Sequence, residues 1–226
     1  MPAPKIVKIK MTADDTSGMS QVPDPLHRTS SAYLFVAPPG SGKTNLLMNL
    51  ISLKGKYYNK LFDQVHFWSP SKHTIKDLPL PPERQHSDLN LKELDQIIKS
   101  IEGTDERGLF IFDDMVATLG KNIKQFLKLL YNRRHIGKGV HIWITTQKLT
   151  KVPLELRAAM NGLFVWPTSN KTEAQTLYDE YISLDKKQWE LMKNQVMSKQ
   201  YAFMFIRLDR HESDKYYDNN FNNLLV

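Results

Sequence analysis

The chain's most chemically loaded stretch is Ala37-Pro38-Pro39-Gly40-Ser41-Gly42-Lys43-Thr44. Glycines at Gly40 and Gly42 let the backbone curl with its N–H groups turned inward, and a helix starting there adds its own unpaired N–H groups, so the turn forms a nest for phosphate oxygens. Pro39, Gly40, Ser41 and Gly42 would build that cradle. Lys43 would reach the β- and γ-phosphates of a nucleoside triphosphate, and the Thr44 hydroxyl would ligate Mg2+. Ala37 stands where the usual pattern begins with Gly. A small residue suffices there, because the tight turning comes later in the loop.

Two further groups could complete a hydrolytic site. Gly108-Leu109-Phe110-Ile111-Phe112 is an apolar run that ends in Asp113-Asp114, as a buried central strand does when its tip faces a phosphate loop. Asp113 would hold Mg2+ directly or through water, and Asp114 would polarise the attacking water as a general base. Many ATPases place Glu at that second position; Asp is one methylene shorter. Val140-His141-Ile142-Trp143-Ile144 is another apolar run, ending in Thr145-Thr146-Gln147. A polar side chain at such a tip can hydrogen-bond the γ-phosphate or the lytic water, which makes Gln147 a sensor candidate.

These groups need a sheet to bring them together. The loop follows the apolar run Tyr33-Leu34-Phe35-Val36 and opens a helical stretch from Asn45 to Leu50, the strand–loop–helix context that a phosphate loop requires. Gln64 to Trp68 reads as a strand and Asn90 to Ile101 as a helix with one buried face. Lys121 to His135 reads as a helix carrying Lys121, Lys124 and Lys128 on a solvated face. Leu163 to Trp166 reads as the fifth core strand, Thr172–Tyr181 and Lys186–Met197 as helices, and Tyr201 to Ile206 as a final strand. Trp189 and the aromatics of that last strand have the spacing of core residues. Alternating short apolar and longer amphipathic runs predict an α/β fold with a mostly parallel central sheet flanked by helices.

Around this core the reading is coarser. Lys5 to Lys10 alternates apolar and basic residues like an edge strand, and residues 11–31 read as a linker. The segment 70–88, with Pro70, Pro79, Pro81 and Pro82, reads as an irregular surface loop. The tail from Asp214 to Asn223 reads as mobile in a monomer and ordered against a neighbour. At 226 residues and 41% hydrophobic content, one globular domain is expected: 1–30 as N-terminal strand and linker, 31–167 as core, and 168–226 as C-terminal helices, strand and tail. The net charge of +7 leans towards a polyanionic partner. The absence of cysteine excludes disulfides and thiolate metal sites. No apolar stretch approaches the ~20 residues that span a bilayer, and no signal-peptide core is apparent, so a soluble protein is expected.

The order of these parts resembles that of the FtsK/HerA superfamily of ring-forming, DNA-pumping ATPases. Within it, Arg133-Arg134-His135 before the sensor strand, and Leu149-Thr150-Lys151-Val152-Pro153 leading to Arg157 and Asn161, look like the poxvirus-type genome packaging ATPases of large DNA viruses and virophages. The resemblance covers about residues 30 to 167. It implies a RecA-like, additional-strand P-loop NTPase core that uses ATP and Mg2+, with Lys43 and Thr44 as the nucleotide-binding pair, Asp113 and Asp114 as the acidic pair and Gln147 as the sensor. The Asp-Asp pair is frequent in that group. The resemblance also implies a homo-oligomeric ring, pentamer or hexamer, and double-stranded DNA as partner. It further implies capsid or portal-vertex proteins as an anchor, and a location in the host cytoplasm, the virus factory or the virion. An arginine from one subunit would complete its neighbour's site; Arg157, Arg134 and Arg133 are the candidates, with Arg157 favoured because it follows the sensor strand. DNA contact is assigned either to segment 70–88 or to the basic helix 121–135. Two other functions share the phosphate loop. A nucleoside or nucleotide kinase would not need an acidic pair with a sensor Gln beyond it. A GTPase-like switch would need an Asn-Lys-x-Asp string, and the nearest one here, Asn170-Lys171-Thr172-Glu173, ends in Glu.

Overall fold

The computed structural model describes residues 22–52, 57–72 and 80–225. The expected edge strand at Lys5–Lys10 lies outside them. The strands are β1 (Ala32–Val36), β2 (Gln64–Trp68), β3 (Gln85–His86), β4 (Gly108–Asp113), β5 (Val140–Thr146), β6 (Gly162–Val165), β7 (Met204–Arg207) and β8 (Tyr216–Tyr217). They form one sheet in the order β3-β2-β4-β5-β1-β6-β7-β8. From β3 to β6 every pairing is parallel, whereas β7 and β8 are added antiparallel. The helices are α1 (Lys43–Ile51), α2 (Leu91–Ile101), α3 (Val116–Lys121), α4 (Ile123–Asn132), α5 (Leu154–Ala158), α6 (Lys171–Tyr181) and α7 (Lys186–Val196). This is the expected α/β architecture, a mostly parallel central sheet flanked by helices, with β5 inserted between β1 and β4.

Because side chains alternate across a strand, each buried strand feeds two cores. Tyr33, Phe35, Leu109, Ile111, Trp143, Phe164 and Phe205 face the side covered by Leu47 and Leu50 of α1. Leu34, Phe110, Phe112, Ile142, Ile144, Leu163 and Ile206 face the side covered by α2 to α7. On the α1 side, Phe35, Phe164 and Phe205 stack in succession across β1, β6 and β7, with centroids 4.5 and 4.3 Å apart. Stacked rings add to burial energy by about 0.5–1.5 kcal/mol per pair. Three helices start on side-chain caps, Asn90 for α2, Asn170 for α6 and an Asp185–Gln188 capping box for α7, each satisfying backbone donors left open in the first turn.

Five expectations are corrected. The described part of the linker packs against the sheet: Val22 and Leu26 are buried in the α1-side core, and His27 is bonded through Nδ1 to the Tyr33 hydroxyl at 2.9 Å. The segment 70–88 contributes a 3₁₀ turn at Pro82–Arg84 and strand β3, where His86 stacks on Trp68 at 4.6 Å and lies 3.2 Å from His66. The expected helix 121–135 is broken at Asn122, so α3 precedes a separate α4. The tail is ordered within the single chain, with Phe221 packed beside Phe203, Phe205 and Phe164. The last long strand also starts later than expected, at Met204.

Candidate functional site

Parallel pairing puts the C-terminal tips of β2, β4, β5 and β1 at one edge of the sheet, and the chemistry-bearing residues follow from that. After Val36 the chain leaves β1 with Ala37 N–H donating to Thr146 O at 3.0 Å, then turns through Ser41, whose hydroxyl donates to Pro38 O at 2.5 Å. Gly40 and Gly42 have φ of 74° and 90°. That left-handed conformation is open to glycine at little cost, and Gly42 caps α1. Lys43, the first residue of α1, points its Nζ to within 3.8 Å of Asp113 Oδ1. The first residue of α1 and the last residue of β4 thus meet at one edge of the sheet.

Asp113 ends β4 with its carboxylate held at both oxygens. Thr145 donates its hydroxyl to Oδ1 at 2.6 Å and Ser69 donates to Oδ2 at 3.0 Å. The register explains both contacts, since Asp113 pairs with Thr145 across β4–β5, and Ser69 directly follows β2, whose Trp68 pairs with Phe112. Asp114 lies one residue beyond, exposed and left-handed at φ 55°. Its N–H donates to Thr145, at 3.2 Å to the carbonyl and 3.1 Å to Oγ1, and its Oδ2 accepts from Gln147 Nε2 at 2.8 Å. Asp tolerates this backbone better than most residues, and strained positions of this kind gather at functional sites. The structure therefore joins Lys43, Asp113, Asp114 and Gln147 in one connected cluster.

The donor set fits a hard cation accompanied by phosphate. Asp113 and the Thr44 hydroxyl are oxygen donors, and no group of three or more His, Asp or Glu residues among the described residues could hold a metal alone. Mg2+ typically takes one or two protein oxygens and completes its shell from phosphates and water.

The chain just past β5 has a support that the sequence does not announce. Glu173, buried in the first turn of α6, accepts from Leu149 N–H at 2.6 Å and Thr150 N–H at 3.3 Å, and also takes the Thr150 hydroxyl. It thereby fixes the loop just past Gln147. Ser69 and Thr145 also emerge only here. A polar residue at the tip of each apolar run was the available signal for those two; Glu173 gave none.

The three arginines lie off this cluster. Arg133 is buried, with Nε donating to Ser30 O and Nη1 to Leu130 O. Arg157 in α5 is ion-paired with Glu180 of α6. Arg134 is exposed in the 3₁₀ turn after α4. Arg133 and Arg134 both precede β5, at the opposite end of the sheet from Lys43.

No protein-family model matches the chain, and no curated protein matches it in sequence. Solved structures do match its fold. The DNA-packaging ATPase from Sulfolobus turreted icosahedral virus superposes with a TM-score of 0.58 at 12% identity, covering 84% of this chain and 97% of that one. The genome packaging NTPase from Sulfolobus turreted icosahedral virus 2, in complex with ATPγS, gives 0.57 at 14% identity over 84% and 96%. The pCW3 conjugation coupling protein TcpA, also with ATPγS, gives 0.52 at 11% identity, covering 80% of this chain and 58% of that one. At these identities the likeness is one of fold.

Proposed function

We propose that this chain is an ATP-hydrolysing motor that moves double-stranded DNA into a viral capsid, acting as a homo-oligomeric ring. The observation that carries the reading is the connected cluster at adjacent strand tips: Lys43 facing Asp113, and Gln147 hydrogen-bonded to Asp114. The resemblance of the motifs, the fold shared with packaging ATPases over nearly their whole length, and the net charge of +7 all support it. No described helix is long and apolar enough to cross a membrane.

In this reading the backbone N–H groups of 39–44 and the Lys43 ammonium bind the triphosphate and draw off charge from its terminal phosphoryl group. Mg2+, held by Thr44 and Asp113, would supply further neutralisation of the phosphate oxygens. Asp114 takes the proton of the attacking water, and Gln147, already bonded to its carboxylate, orients that water. A neighbouring subunit supplies the arginine; Arg134 is exposed and free to cross an interface, whereas Arg157 would first have to leave Glu180. Capsid or portal-vertex proteins would anchor the ring, in the host cytoplasm, the virus factory or the virion. The kinase reading is not favoured, because phosphoryl transfer to a nucleoside requires neither a paired Asp114–Gln147 nor a second acidic residue at that tip.

The test is ATP hydrolysis with and without duplex DNA. Hydrolysis should rise with duplex and fall at least about 100-fold in Lys43→Ala, as expected for loss of a charge stabiliser at the transferring group. Hydrolysis indifferent to DNA, with phosphate delivered instead to a nucleoside, would sink the motor reading.

A further inference from the structure

The cluster above accounts for the phosphate end of a nucleotide and leaves the base without a place. Its groups lie on the β4 and β5 side of β1, so a nucleoside extending away from them runs towards β6 and β7. On that side Tyr201 meets the loop: a Cβ at Gly42 would sit 3.4 Å from Tyr201 Cδ1, with the Tyr201 ring and Cβ its three nearest neighbours. Tyr201 reaches this edge because β7 runs antiparallel to β6. Met204 pairs with Val165, the last residue of β6, so the residues just before β7 arrive where the parallel strands end.

Tyr201 has two marks of a residue kept for something other than packing. Its side chain is 60% exposed although a loop glycine lies against it. Its φ of 63° is left-handed, which an aromatic residue adopts only where its surroundings impose it. The segment is nevertheless firmly seated. Ala202 N–H donates to Lys199 O, and the neighbouring Phe203 packs on Trp166 at 5.2 Å. Trp166 in turn lines a cavity of about 710 Å3 with Thr168, Met197 and Ser198, and its indole Nε1 is buried among the protein atoms with no hydrogen-bond partner.

We infer that Tyr201 is the platform on which the base of the bound nucleotide stacks, beside the loop that holds its phosphates. The ligand class is an aromatic nucleoside triphosphate. Recognition by ring stacking alone would tolerate different bases, because every base presents a π-face. This rests on the proposed nucleotide site and adds the base to it.

The experiment compares ATPγS with inorganic tripolyphosphate, which has the phosphates and no base, on wild type, Tyr201→Ala and Tyr201→Phe. Loss of a stacking partner should weaken ATPγS about tenfold or more in Tyr201→Ala, with Tyr201→Phe holding wild-type affinity and tripolyphosphate binding equal in all three. If Tyr201→Ala binds ATPγS as wild type does, or loses both ligands in parallel, the platform is overturned while the phosphate site stands. If wild type binds neither ligand, the nucleotide reading itself fails and the platform falls with it.

Discussion

The two halves of the sheet are built from similar apolar strands and do different work. From β2 to β1 the strands are parallel, so each must be re-entered through a crossover and every C-terminal tip comes out at the same edge. Ser69, Asp113, Thr145 and Gln147 converge there for that reason. From β6 to β8 the chain doubles back, and its polar residues pair with one another or with the segment before β1: Arg207 with Asp209, Arg210 with Asp24 and Asp214, and Asp209 with His27. That half supplies aromatic packing and fastens the segment before β1 to the segment after β7. Parallel pairing gathers the polar side chains of the candidate site at one edge and antiparallel pairing adds packing and ion pairs, while the reversal of β7 carries Tyr201 to that same edge.

The contrast is broken if a change in the parallel half damages folding, or one in the antiparallel half spares it. Asp114→Asn is the largest expected effect. Asn accepts the left-handed backbone and can still bond Gln147, yet it takes no proton, so hydrolysis should fall roughly 10²–10⁴-fold with nucleotide affinity and melting temperature held. Gly162→Ala should do the reverse. Its Cβ would lie 2.7 Å from the Tyr33 ring and 2.9 Å from Phe205, and Tyr33 cannot yield because it is buried and bonded to Tyr58 and His27. Overpacking of this kind costs about 1–3 kcal/mol, readable by denaturant titration.

The smallest expected effect is a shared acid sensitivity. Burial, with His86 and Arg84 adding to it, holds His66 down to about 4 from an ordinary 6.5, and burial also lowers His141 and His27. The folded chain thus carries these imidazoles neutral where the unfolded chain would protonate them. Stability is fully present above about pH 6.5 and is lost as pH falls towards 4. Melting temperature should be level at neutral pH and decline through that window; a level profile down to pH 4 would refute it.

What could be read in the chain was the placement of groups that are local to it. Gly40 to Thr44 is one continuous stretch from a turn into α1, Asp113-Asp114 ends one apolar run, and Gln147 ends another, so type and spacing sufficed to place them. Contacts set by register were not readable. Ser69 reaches Asp113 across 44 residues, Thr145 across 32, and Glu173 reaches Leu149 across 24. Glu173 was further disguised by sitting three residues after Asn170, where it looks like an ordinary capping partner. The misread segment 70–88 failed for a related reason. Its prolines signalled only irregular chain, but β3 is two residues long and is a strand only because β2 lies beside it.

Glu173 has a second consequence when taken with Glu180. One anchors the first turn of α6 to the loop that carries Gln147; the other anchors the last turn to Arg157 of α5. The two lie seven residues apart, roughly 10 Å along a helix at 1.5 Å per residue. α6 is therefore a strut pinned at both ends, with little slack between the loop just past Gln147 and the helix that bears Arg157. Displacing either end means dragging the other along, or breaking the hydrogen bonds to Glu173 or the Arg157–Glu180 ion pair.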